Sequence, residues 1–270
     1  MSDQSFSPPK LTRQHRVRFG STRAVMALIL REMATTYGRS PGGYLWALVE
    51  PIFGVAILTM VFSALIRSPP LGISFPMFYT TGMMPFLLYT AVQAKVAGGL
   101  TYSKPLLAYP TVTYFDSLLA RFLLEVITKL LVGYVIFAGV MVLFETRVTL
   151  DFLIIMQAYA LAALLALGLG ALNCYLFTRM PVYQRAWVIV NAPLFILSGI
   201  FFTYETIPSA YQDYIWYNPL MHITGLMREG FYSSYRPDYI NVPYVVGVSF
   251  ICMAFGLMLL RRHHRDLLNK

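Results

Sequence analysis

Charge is scarce in this chain. Only 12% of its 270 residues are Asp, Glu, Lys or Arg, 57% are hydrophobic, and the mean hydropathy is +0.61. A large soluble core needs a solvated polar skin, so this balance excludes one and describes a polytopic membrane protein. Cysteine is nearly missing. Cys174 and Cys252 lie in separate apolar runs, which excludes a disulfide framework and a cysteine-based metal site. His15, His222, His263 and His264 have no ligand spacing with carboxylates, so no metal is expected. Neither H-E-x-x-H nor G-x-S-x-G occurs, and no catalytic residue is assigned. The phosphate loop G-x-x-x-x-G-K-[ST] is absent too, so any ATP dependence must come from a partner. The first apolar run, Ala24 to Leu30, has seven residues and no small-residue cleavage pattern after it, so no cleaved signal peptide is expected.

What the chain does have is long apolar stretches. About 20 residues cross a hydrocarbon core of about 30 Å, and six stretches approach that length: Tyr44 to Ile66, Pro76 to Gly98, Ser117 to Phe144, Phe152 to Phe177, Ala186 to Thr203 and Pro243 to Leu260. The fold expected is all-α with six transmembrane helices. The net charge of +9 comes without a basic helix or an RNA-binding aromatic motif, so nucleic acid is not an expected partner. Most Lys and Arg residues fall on one side of the six spans; Arg67, Arg147, Arg228 and Arg236 fall on the other. The positive side is the cytosolic one, which puts both termini in the cytosol of a multi-pass protein.

Residues 1–43 form a cytosolic lead-in and 44–270 the membrane domain. Within the lead-in, STRAVMALILREMATTYG places Val25, Leu28, Ile29 and Met33 on one helical face, with Arg23, Arg31 and Glu32 off it. Such a helix suits the inner headgroup layer, or packing against a partner. Next comes YGRSPGGYLWALVEP. Ser40 before Pro41 is pushed extended, and Gly42 and Gly43 are free to turn, so a sharp elbow is expected between Arg39 and Tyr44.

Between the fifth and sixth spans lies IPSAYQDYIWYNPLMHITGLMREGFY, Ile207 to Tyr232, too polar to cross a membrane and too aromatic for an ordinary loop. Pro208 can start one short helix, Asn218-Pro219 interrupts it, and Leu220 to Phe231 can form a second. The expectation is a re-entrant helical hairpin over about 204–232 on the outer face. Aromatics make up 15% of the chain, and those near the two faces include Tyr44, Trp46 and Phe53 in the first span and Tyr204, Tyr211, Tyr214, Trp216 and Tyr217 in the hairpin. They suit an interfacial belt. They also suit a sugar path, where rings cover the C–H faces of pyranoses and hydroxyls or Trp N–H bond their edges.

Two intramembrane charge groups pose a similar choice. Arg121, Glu125 and Lys129 share one face of the third span at i, i+4 and i+8. They suit either a polar conduit or an internal salt-bridge ladder that snorkels to the inner interface. Glu50, beside Pro51 in the first span, could line a pathway. In the fourth span, AYALAALLALGLGALN with Gly168 and Gly170 reads as close helix packing.

The elbow motif Arg39-Ser-Pro-Gly-Gly43-Tyr44-Leu45-Trp46, together with Tyr217-Asn218-Pro219-Leu220, His222 and Arg228, resembles the permease subunit of ABC-2 type exporters. The nearest likeness is to permeases of Gram-negative capsular polysaccharide exporters, and it runs over nearly the whole chain. The resemblance implies a homodimer joined to a dimer of a separate ABC ATPase that binds the ATP and Mg, in the bacterial inner membrane. It implies that the elbow (Arg39, Ser40, Pro41, Gly42, Gly43) and the loop between the second and third spans (Lys104, Pro105, Pro110) contact that ATPase. It also implies a lipid-linked polysaccharide as cargo, handed to a periplasmic adaptor of the co-polymerase type and an outer-membrane pore. The substrate-pathway candidates are then Tyr44, Trp46, Glu50, Phe53, Lys129, Tyr204, Tyr211, Tyr214, Trp216 and Tyr217. An O-antigen permease, or a drug or lipid exporter of the same type, would share the six spans.

Overall fold

A computed structural model describes residues 20–36, 43–104 and 113–268. Among them the chain forms ten α-helices and no strand: α1 Gly20–Thr36, α2 Gly43–Leu65, α3 Phe75–Ala97, α4 Gly99–Ser103, α5 Tyr114–Leu143, α6 Phe152–Arg179, α7 Pro181–Leu197, α8 Ser209–Trp216, α9 Pro219–Phe231 and α10 Val242–Leu268. Four are long and apolar enough to cross a membrane: α2, α5, α6 and α10.

Local chemistry sets the boundaries. Thr113 and Asp116 form a reciprocal capping box at the start of α5, satisfying two otherwise orphaned N–H groups. Asp151 accepts from Leu153 and Ile154 to open α6. Asn218 caps α9, with Pro219 at the first helical position where its missing N–H costs nothing. The two short helices therefore stand where Pro208 and Asn218-Pro219 were expected to put them. The fifth apolar stretch differs from expectation. Instead of Ala186 to Thr203, α7 runs from Pro181 to Leu197, because Gly199 takes φ +75° and turns the chain out of the helix.

The core is built around α3 and α6, which pack on each other, with α5, α9 and α10 around them. Their approach is close because α6 carries glycines on two faces. A Cβ at Gly168 would collide with the Ser249 carbonyl of α10, and one at Gly170 would sit 2.8 Å from Val96 Cβ of α3. From the other side, Gly256 of α10 meets the Leu172 backbone of α6. Small residues thus let backbones touch, as the Ala- and Gly-rich run implied. Helix α3 equals α2 in length but has Thr80, Thr81 and Gln93 almost wholly covered by its neighbours. By contrast, no side chain of α7 is buried, and α2 turns Trp46, Phe53, Met60 and Leu65 outward.

Helix α1 lies along α5. Among its described side chains Val25 and Glu32 are buried and Met33 is exposed, so the stripe is rotated from the expected one and takes in the acidic residue. The reason is electrostatic. Glu32 Oε1 lies 3.1 Å from Arg121 Nη2 of α5 and 3.9 Å from Lys95 Nζ of α3. A second apolar stripe, Met26 and Leu30 with Met33, is left facing outward, as on a helix lying in a membrane interface.

Candidate functional site

The turn from Ile200 to Phe202 is held by a buried cation. Arg228 of α9 is 1% exposed. Its Nη1 donates to the Phe202 carbonyl at 2.8 Å and its Nη2 to that of Ile200 at 3.2 Å, and the guanidinium lies 4.1 Å from the Phe78 ring centroid of α3. Its fork therefore ties the turn after α7 to the core. The site is tight, since a Cβ at Gly82 of α3 would meet Ile200 Cα at 3.0 Å. Nearby, the Tyr235 hydroxyl donates to Glu205 at 3.1 Å. Burial pulls Arg228 below the ordinary guanidinium range, while Tyr235, Tyr239, Tyr232 and Glu205 favour its charge.

His222, nearly two turns nearer the start of α9, joins α8 to the strap before α10. Its Nδ1 accepts from the Asn241 N–H at 3.2 Å, so Nε2 carries the proton and donates to the Trp216 carbonyl at 2.8 Å. Burial holds the imidazole below its usual pKa. The Trp216 indole donates to the Tyr239 carbonyl at 3.1 Å, and Tyr204 stacks on Tyr239 with centroids 4.2 Å apart.

The aromatic candidates of this region therefore divide. Tyr204 and Trp216 are half-buried parts of the scaffold, whereas Tyr211, Tyr214 and Tyr217 are 62%, 78% and 67% exposed. Tyr211 and Tyr214 line a cleft of about 620 Å³ with Leu194, Leu197 and Phe202. Away from it, Trp46, Glu50 and Phe53 are exposed together along one face of α2. The Tyr44 side chain, and Arg39, Ser40, Pro41, Gly42, Pro105 and Pro110, lie outside the described residues. Of the elbow candidates, Gly43 opens α2 with φ +26°, and Lys104 is exposed at the end of α4.

The salt-bridge ladder on α5 does not form. No ion pair joins Arg121, Glu125 and Lys129, because the Arg121 guanidinium turns to Glu32 on α1 instead. Arg121 also lies over the Tyr102 ring at 4.5 Å, and the Tyr102 hydroxyl meets Thr35 of α1 at 2.5 Å. Glu125 is buried and Lys129 half-buried. Helix α1 is thereby fastened to α4, the short helix that leads into the loop before α5.

One feature escaped the sequence reading. A groove of about 560 Å³ runs between α3 and α7, lined by amide and aromatic side chains that include Gln93, Gln184, Trp187 and Asn191. The signal was present, since Gln184, Trp187 and Asn191 recur at i, i+3 and i+7 of α7 in an otherwise apolar stretch.

The ABC-2 type transporter family model matches residues 23–232, most of the chain and all of the elements just described up to the end of α9. The chain belongs to that family. It is also similar to the polysialic acid transport protein KpsM of Escherichia coli, with 29% identity over 90% of this chain and 95% of that one. The capsule polysaccharide export inner-membrane protein CtrC of Neisseria meningitidis serogroup B is 26% identical over 89% and 91% of the two chains. BexB of Haemophilus influenzae, also a capsule polysaccharide export inner-membrane protein, is 24% identical over 91% and 92%. With four apolar membrane-length helices, this ABC-2 family member is a multi-pass membrane protein.

Proposed function

We propose that this chain is the permease subunit of an ATP-driven exporter that passes lipid-linked capsular polysaccharide across the bacterial inner membrane. The observation that carries the reading is the end-to-end match to transporters named for polysialic acid and capsule polysaccharide export, about nine-tenths of each chain in every case. Six spans are formed by α2, α3, α5, α6, α7 and α10. Helix α3 affords its polar residues because protein, not lipid, surrounds it. Helix α7, with 17 residues, is about 26 Å long and needs only slight local thinning of the bilayer. Helices α8 and α9 make the re-entrant hairpin on the periplasmic side, and both termini are cytosolic.

Two copies form the working unit, a reading supported by the uncovered faces of α2 and α7. A separate ATPase dimer binds ATP and Mg. It engages Arg39 to Gly43 and the loop from Lys104 through Pro105 and Pro110, and its closure tilts the membrane halves. The bonds from Glu32 and Thr35 to Arg121 and Tyr102 support this, since they link the helix before the elbow to the helices on either side of the loop. Tyr44, Trp46, Glu50, Phe53 and Lys129, with Tyr211, Tyr214 and Tyr217 outside, face the polymer. Tyr204 and Trp216 serve it by holding the exit in shape. A periplasmic adaptor and an outer-membrane pore receive the cargo.

The test is a gene deletion in a capsulated host, complemented by the wild type or by Arg39→Glu. The expected result is polymer retained in the cytosol of the deletion strain and returned to the surface by the wild type but not by the elbow variant. Normal surface polymer in a deletion strain that has no second copy refutes the proposal.

A further inference from the structure

We propose that the groove between α3 and α7 is a binding site for neutral sugar edges, with Gln93 as its fixed hydrogen-bonding residue. This rests on the polysaccharide reading above and assigns the sugar contacts to residues outside the exposed aromatic set. Gln93 is 3% exposed. Its Oε1 accepts from the Trp187 indole N–H at 3.4 Å, which fixes the amide so that Nε2 points away from that bond, and Nε2 has no partner. On α7, one turn beyond Trp187, the Asn191 Oδ1 is likewise unpartnered. Buried polar groups in folded proteins are nearly always paired, so a free donor and a free acceptor lining one groove call for a ligand that supplies both. A sugar hydroxyl does so, as does an acetamido group.

The rest of the lining suits the same ligand. Trp187 is stacked beside Tyr183 at 6.2 Å, and Phe86 and Phe195 meet edge-on at 5.2 Å, offering apolar surface to the C–H faces of pyranose rings. Among the described residues, no charged side chain lines the groove itself. Arg121 enters only at the end where Gly98, Phe177 and Gln184 pass into a smaller hollow of about 340 Å³. From Phe86 to Gly98 the groove follows twelve residues of helix, about 18 Å, room for a short run of sugars. An acyl chain in the same place would leave Gln93 Nε2 and Asn191 Oδ1 unpaired, which makes lipid the poorer occupant.

The experiment uses the purified full chain, and the Trp187 signal is the part of the tryptophan emission that Trp187→Phe removes. The probe is lipid-free fragments of the host's own capsular polysaccharide, with a short-chain phosphatidylglycerol alongside. The expected result is a saturable change in Trp187 emission with the fragments, about tenfold weaker in Gln93→Leu, the loss of one neutral hydrogen bond. Should Gln93→Leu fail to reach the membrane, Asn191→Leu carries the same expectation. A change produced by the lipid alone, no response to the fragments, or equal affinity in the variants overturns the proposal. In cells, full surface polymer with Gln93→Leu sinks the groove while the permease reading stands, whereas polymer export in the deletion strain sinks the permease reading itself.

Discussion

Arg228→Lys isolates the role of the buried guanidinium, because it keeps the charge and its desolvation while removing the fork. The native side chain reaches the Phe202 and Ile200 carbonyls at once, at 2.8 and 3.2 Å, from over the Phe78 ring. An ammonium on a shorter stem satisfies one carbonyl. It therefore loses one hydrogen bond to a charged group, about 1.5–3 kcal/mol, and the more strongly hydrated head resists burial further. Because about 1 kcal/mol shifts a melting midpoint by about 2–4 °C in a chain of this size, the midpoint should fall by roughly 5–10 °C. Cys174 provides the assay. It is wholly buried, so a thiol-reactive dye in a Cys252→Ser background reports unfolding in detergent. A midpoint within about 1 °C of wild type would show that the fork does not anchor the turn. If Arg228→Met were more stable than wild type, the cation would be a net cost to the fold and not its anchor.

Glu32→Gln should detach α1 from α5 by breaking a pair that is more than nine-tenths buried on both sides, a loss of about 3–5 kcal/mol. Faster hydrogen exchange across α1 checks it, and Glu32→Gln with Arg121→Gln should cost less than the two changes summed. For His222 the folded pKa lies below the ordinary value, so its contribution is complete above a pH of about 6.5, where both states are neutral. As pH falls below that, the unfolded chain takes up a proton that the folded one refuses, and stability declines down to the folded pKa. Thiol-dye melting at pH 8 and pH 5.5 should show the drop, and His222→Asn should flatten it. Gly168→Ala should abolish stable insertion, because its Cβ meets the Ser249 carbonyl, whereas Gly139→Ala, with nothing within 4 Å, should be neutral. Equal membrane levels for both would contradict the backbone contact between α6 and α10.

Much of the architecture was legible because membrane solvent imposes it. Residues 45–65, 114–143, 152–179 and 242–263 form helices since no backbone group can be left unpaired in lipid. Pro208 and Asn218-Pro219 marked the short helices through their own dihedral limits. Gly168 and Gly170 announced close packing, although not that one faces α10 and the other α3. Partner choice was the illegible part. Spacing put Arg121 beside Glu125, but only the docking of α1 could bring Glu32 to 3.1 Å and end the ladder. Likewise, composition grouped the outer aromatics, and hydrogen bonds from the indole of Trp216 and stacking by Tyr204 separated scaffold from open surface.

The sequence by itself determined that this is a helical membrane protein, roughly where its helices run, and the family its motifs resemble, because hydropathy, proline and glycine act over a few residues. Tertiary structure alone decided that Gln93 of α3 and Trp187 of α7, 94 positions apart, share a groove and a hydrogen bond. It also decided that Arg228 is an anchor and not a surface charge. The physical reason is that burial and pairing depend on which helices pack together, and periodicity along one helix carries no record of its neighbour.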